Sequence, residues 1–154
     1  MRVIQKIFSA FLISLFTLNI SWAGAWGAGS FQNDSALDWA QEEITPLKSS
    51  KVLIFAFNQL PKSGYIQVDM CSEVVAAAEI VASMKDGNMD NLPKEVAIWA
   101  KRNENAFSNH LASQAIEAIE ICSNKKRSEL AQLWDDSSNN EWITVILAIK
   151  NRLK

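Results

Sequence analysis

Asp69–Lys85 (DMCSEVVAAAEIVASMK) is the plainest helix in the chain. Val74, Val75, Ala78, Val81 and Met84 return at the three- and four-residue steps that stack side chains on one face of a 3.6-residue turn. Asp86-Gly87-Asn88 stops it, because glycine accepts the left-handed backbone that closes a helix. Within this helix Glu79 stands in Ala76-Ala77-Ala78-Glu79-Ile80-Val81-Ala82, a carboxylate among small and apolar neighbours. A carboxylate buried in such a run must find donors. The free N–H groups of the glycine-rich segment 24–33, or the Trp26 indole N–H, are the expected ones. The rival reading gives Glu79 acid–base work beside Asp34 or Asp38.

Helical periodicity continues on both sides, and alternating strand patterns are nearly absent. Asp34-Ser35 opens a helix with Leu37, Ala40 and Ile44 inward; Ser35 and Asp38 form a capping-box-like pair, and Pro46 ends or bends it. Val52–Phe57 (VLIFAF) has the composition of a strand. No second strand exists to pair with it, and a lone strand leaves backbone groups unsatisfied, so it is read as a helix ending before Pro61. Pro93 suits a first helical turn, and the helix it starts runs to about Arg102 with Trp99 inward. Ala106–Ser123 carries Leu111, Ala115, Ala118 and Cys122 on one stripe. Ser128 caps a short helix with Leu130, Leu133 and Trp134. From about Asn140, Trp142, Val145, Ile146, Ile149 and Leu153 share one face. Lys150, Arg152 and Lys154 fall in its last turns, where positive charge suits the helix dipole. Short connections predict an all-α single domain over residues 24–154: a compact bundle of six or seven helices with an N-terminal Gly/Trp-rich loop packed on it.

Composition narrows the function classes. The chain has 154 residues, 49% of them apolar and 21% charged, with six Trp and seven Phe. Such an aromatic content excludes a disordered chain. A formal net charge of −2 excludes the broad basic surface that nucleic-acid binding needs. Residues 1–23 read as a secretory signal peptide. Arg2 and Lys6 form the positive start, and Ile7–Ile20 (IFSAFLISLFTLNI) is an uncharged core. Ser21-Trp22-Ala23 then sets small residues at the cleavage positions. Ala23-Gly24-Ala25 is a competing site, and an uncleaved anchor is the rival to both. The apolar core falls short of the roughly 20 residues a bilayer span requires. Cleavage removes Arg2 and Lys6 and leaves an acidic remainder without a membrane-inserting segment, bound for the periplasm or secretion.

Two cysteines, Cys71 and Cys122, then sit in an oxidising compartment, where a pair usually becomes a disulfide. Two separately buried thiols are the alternative. Catalytic and metal signatures are missing: there is no H-E-x-x-H, G-x-S-x-G, Walker loop, EF-hand or C-x-x-C. No cofactor or metal is expected. The single His, His110, reads as a solvent-facing or satisfied polar group. Lys125-Lys126-Arg127 reads as a solvated helix end. Gly24, Gly27 and Gly29 precede a helix and can cradle an anion, but Asp34 and Asp38 place negative charge at that end. The structural reading has the glycines adopt unusual backbone angles while Trp26 and Phe31 tuck into the core.

The opening Gly24-Ala25-Trp26-Gly27-x-Gly29-x-Phe31-x-Asn33-Asp34-x-Ala36-Leu37-Asp38-Trp39 resembles the start of the domain of unknown function 4259 family. The similarity continues in Ala76–Ala82, in Leu92-Pro93-Lys94-Glu95 with Trp99, in Ser128–Leu130, in Leu133-Trp134 and in Glu141-Trp142. Many members start at Met-Gly-Ala-Trp-Gly, which fits cutting after Ala23. Members often carry Asp where this chain has Ser35, and the two Cys lie outside the family pattern. The resemblance implies an α-helical domain without an assigned activity, and it supplies no catalytic residues.

The leading functional reading is a small exported, non-catalytic domain that binds another protein, of inhibitor or immunity type. Trp26, Gly27, Gly29, Phe31, Asn33, Asp34, Asp38, Trp39 and Glu79 form its binding or structural motif. The alternative is a small hydrolase-like or ligand-binding enzyme using Asp34, Asp38 and Glu79, and a third is envelope architecture without a discrete ligand. N-terminal sequencing of the protein recovered from the periplasm is expected to begin Gly-Ala-Trp-Gly. A sequence beginning at Met1 would contradict cleavage.

Overall fold

From Val74 to Met84 every residue is buried, so the central helix is covered all round and not along one stripe. Small side chains make this feasible: Ala76, Ala77, Ala78, Ala82 and Ser83 let neighbours approach the backbone from every direction. The computed structural model describes residues 26–135 and 140–154; the expected leader at residues 1–23 lies outside them. Among the described residues the elements are α1 (Asp34–Trp39), α2 (Lys51–Asn58), α3 (Val68–Asp86), α4 (Lys94–Arg102), α5 (Asn109–Cys122), α6 (Glu129–Asp135) and α7 (Glu141–Leu153). A π-helical turn, Ala40–Ile44, continues α1, and a 3-10 turn, Glu104–Ala106, leads towards α5. Helix α3 touches all six of the others. The fold is all-α, and none of the described helices is long and apolar enough to cross a membrane.

Local chemistry explains the boundaries. Asn33, not Ser35, caps α1: its Oδ1 accepts the Ala36 N–H at 2.8 Å. Ser35 instead donates to Asp69 Oδ1 at 2.7 Å, tying α1 to the start of α3. Gly87 closes α3 in the left-handed conformation with φ of 74°. Pro93 caps α4 from just outside its first turn, and Ser108 Oγ caps α5 by accepting the Leu111 N–H. Ser128 caps α6 through the Ala131 N–H. The strand-like VLIFAF segment is helical, with Val52, Leu53, Ala56 and Phe57 buried and Phe55 outward.

Leu130 and Ala131 provide the buried face of α6, and Leu133 faces solvent. One surface expectation is corrected. Arg127 is not part of a solvated basic run. Its guanidinium donates to the carbonyls of Pro61 at 2.6 Å and Gly64 at 3.1 Å. Ile66 pairs with the same segment, donating to Arg127 O at 2.7 Å and accepting from Glu129 N–H at 3.0 Å. This short bridge anchors the α2–α3 connection to the start of α6.

Cys71 and Cys122 form a disulfide joining the first turn of α3 to the last turn of α5, with Cα atoms 5.4 Å apart and both residues fully buried. It closes a span of 51 residues. In the chain-entropy account such a loop confers up to about 4 kcal/mol by restricting the unfolded chain. The Cys71→Ala/Cys122→Ala variant is expected to lose about 2–4 kcal/mol of unfolding free energy in urea titration, with the helical circular-dichroism spectrum retained. An unchanged midpoint would contradict this role.

Candidate functional site

The segment before α1 is a tight loop. Trp26 N–H donates to Gln32 O at 3.1 Å, and Gln32 N–H donates to Gly29 O at 2.9 Å. The Gln32 side chain lies across the loop, its Oε1 accepting the Gly29 N–H at 2.9 Å. A Cβ on Gly27 would come within 2.2 Å of that oxygen, and one on Gly29 within 3.0 Å. Gly27 and Gly29 are thus packed under the Gln32 side chain and do not take an unusual backbone angle; the positive-φ glycines among the described residues are Gly64 and Gly87. Ala28, Ser30 and Phe31 are buried, whereas Trp26 is 60% exposed. The expectation that Trp26 tucks into the core is thus wrong, and Phe31 alone of that pair does so.

The loop is joined to α3 through Glu79, which is only 1% exposed. Ser30 Oγ donates to Glu79 Oε2 at 3.2 Å, and Asn91 Nδ2 donates to Oε1 at 3.2 Å. The Arg152 guanidinium, reaching over from α7, donates through Nη1 to the same Oε1. The donors are therefore a hydroxyl, an amide and a guanidinium, not loop N–H groups or the Trp26 indole. Arg152 also donates to Asp86 from Nε at 2.6 Å and from Nη2 at 3.1 Å, and from Nη2 to Ser83 Oγ at 3.1 Å and Asn88 O at 3.2 Å. Donation from Arg152 holds the Asp86 carboxyl below its ordinary value, and Asp86 in turn raises Arg152. One guanidinium thus locks α7, the end of α3 and, through Glu79, the N-terminal loop.

Above this knot lies a cleft of about 850 Å³, walled by the 26–32 loop, by residues 90–93 and by the first turn of α7. Trp26, Gly27, Gly29, Phe31 and Glu79 all line it. Asp34 and Asp38 do not. Asp34 is exposed in the first turn of α1 and lines neither this cleft nor the next. Asp38 and Trp39 belong to a second cleft of about 380 Å³ between α1, α2 and α3. There Asp38, Glu42, Glu43, Asp69 and Glu73 surround Phe55, which is 65% exposed. Glu42 and Glu43 are carried on the π-helical turn, a geometry that recurs at functional sites. Burial, then the negative charges of Asp69 and Glu43, push the Glu73 carboxyl above its ordinary value. None of the residues lining this second cleft is basic. Among the described residues no group of three or more His, Cys, Asp or Glu is arranged to hold a metal ion.

Arg152, Asp86, Ser30 and Asn91 escaped the sequence reading. A signal was present: Glu79, Ser83 and Asp86 recur at four- and three-residue steps, a polar face on the C-terminal half of the helix. Such a face demands a cation from outside the helix.

These features define a helical domain whose glycine-rich entry loop is fastened to a central helix by a buried carboxylate. The chain belongs to the family described as Domain of unknown function (DUF4259), whose model matches residues 24–144. No curated protein and no solved structure matches the chain. The match spans the loop, Glu79, Asp86 and Asn91 but stops short of Arg152.

Arg152→Met is expected to cost about 3–5 kcal/mol of stability in denaturant titration, because it strands Glu79 as an unpaired buried charge. A loss under about 1 kcal/mol would contradict the knot. Asp86→Asn is expected to act only where Asp86 is ionised. Its folded value is depressed, so the difference from wild type is full above the ordinary value of 3.8 and disappears as pH falls through the folded value. Thermal unfolding of both proteins across that range reads it directly.

Proposed function

We propose that the chain is an exported, non-catalytic helical domain that binds a basic protein partner, in the manner of an inhibitor or immunity protein, through the acidic cleft at Phe55. The observation that carries this reading is the pairing of an exposed aromatic ring with five carboxylates and no lining cation. Charge of one sign steers encounter and rejects wrong partners, while an aromatic anchor supplies the desolvated contact that holds the complex. Burial first, and then the negative charges of Asp69 and Glu43, raise the Glu73 carboxyl, and a Lys or Arg of a partner would offset the like-charge part.

The enzyme alternative needs Asp34, Asp38 and Glu79 at one reacting centre. Their placement on separate surfaces, with Glu79 engaged by Arg152, Ser30 and Asn91, weighs against it. Export through a leader cleaved after Ala23 places the binder in the periplasm or outside the cell, in keeping with the buried disulfide.

Affinity capture from the native compartment, with the tagged protein as bait, tests the reading. A protein partner retained at low salt, released near 1 M salt where charges more than about 3 Å apart are screened, and lost with Phe55→Ala supports it. No partner at any salt contradicts it. Glu73→Gln is expected to weaken retention yet raise the unfolding midpoint at neutral pH. Because the folded carboxyl is raised, ionisation destabilises the fold above that value, and the gain vanishes below the ordinary value of 4.5, where Glu73 is protonated in both states.

A further inference from the structure

The larger cleft is left unused by the protein-binding face, with which it shares no lining residue. Its volume of about 850 Å³ falls within the ~300–1,000 Å³ typical of small-ligand sites. Its floor is rigid, because Glu79 is pinned by three donors from three different segments. At its rim Trp26 is held by its backbone bond to Gln32 while its indole stands in solvent. An indole presented outward from a hydrogen-bonded loop offers a large apolar face.

The remaining lining chemistry selects the ligand. Gln32, Asn91 and Asn140 bring side-chain amides, each donor and acceptor at once, and Thr144 brings a hydroxyl. Asp90 and Glu141 bring carboxylates that accept two hydrogen bonds each, and no Lys or Arg lines the cleft. A purely cationic ligand would use the amide oxygens but leave the amide N–H donors idle, and an anionic one would meet carboxylates without a counter-charge. A ligand with many neutral hydroxyls and one apolar C–H face matches both the amide-rich wall and the indole. We infer that this cleft is a binding site for a neutral saccharide, whose ring stacks on Trp26 while its hydroxyls bond Asn91, Asp90 and the first turn of α7.

The site is independent of the partner face, so its failure and that of the protein-binding reading are distinguishable. The test is nuclear magnetic resonance titration of the 15N-labelled protein, purified from its native compartment, with maltotriose, cellotriose and triacetylchitotriose in turn. Buffer at about 0.5 M salt screens nonspecific charge attraction. The expected result is a saturable millimolar shift of the Trp26 indole N–H and the Asn91 side-chain amide with at least one sugar. Trp26→Ala is expected to weaken binding tenfold or more with the unfolding midpoint unchanged, since its ring is largely exposed. Trp26→Phe keeps an aromatic face and is expected to retain weaker binding, which decides the matter should the alanine variant fold poorly. No saturable shift with any of the three sugars overturns the inference. So do shifts that survive loss of the Trp26 ring, or shifts that only spermidine produces, which would mark a cation site.

Discussion

Glu79 is the constraint around which the rest is arranged. A carboxylate in the middle of a fully covered helix loses its hydration, at a cost of several kcal/mol, unless charge and hydrogen bonds replace the water. Here the replacement comes from Arg152 of α7, Ser30 of the entry loop and Asn91 of the α3–α4 connection. Arg152 supplies the counter-charge, and Ser30 and Asn91 supply the remaining hydrogen bonds. The network therefore fixes where the loop lies, how α7 crosses α3, and the shape of the cleft between them. The disulfide does the complementary job at the other end of α3, holding its first turn to α5.

That division of labour leaves two clefts on the surface of the helical frame. Ser30 and Asn91 satisfy Glu79 and also line the cleft above it, while Trp26 from the loop and Asn140 and Thr144 from the start of α7 line it without touching Glu79. The second face follows the opposite logic. Asp38, Glu42, Glu43, Asp69 and Glu73 gather round Phe55, and no lysine or arginine is among the residues that line their cleft. Polar strain that the interior resolves is left standing there, which is the condition a charged partner can exploit.

Much of the fold was legible in the sequence because it depends on local rules. Helix α3, its glycine stop and the helical reading of VLIFAF follow from periodicity and backbone chemistry, and the pairing of the two cysteines agrees with the expected export. The requirement that Glu79 be tied down was also legible, since it rests on desolvation alone. Its partners were not, because they come from segments distant in sequence. Arg152 fitted a helix-end role equally well, and nothing local distinguishes a dipole contact from a buried ion pair. Trp26 was misplaced because an aromatic beside glycines fits a core as readily as a rim. Gly27 and Gly29 were assigned to backbone freedom, whereas what lies closest to them is the end of the Gln32 side chain, which a Cβ would push aside.

The central claim is that one buried carboxylate couples the entry loop to α7. Native-state hydrogen exchange on wild type and on the isosteric Glu79→Gln variant tests it most directly. The account predicts that amides of the loop and of the last turns of α7 lose protection together, while those of α5 near the disulfide hold theirs. Loss confined to one of the two segments, or no loss in either, would contradict it.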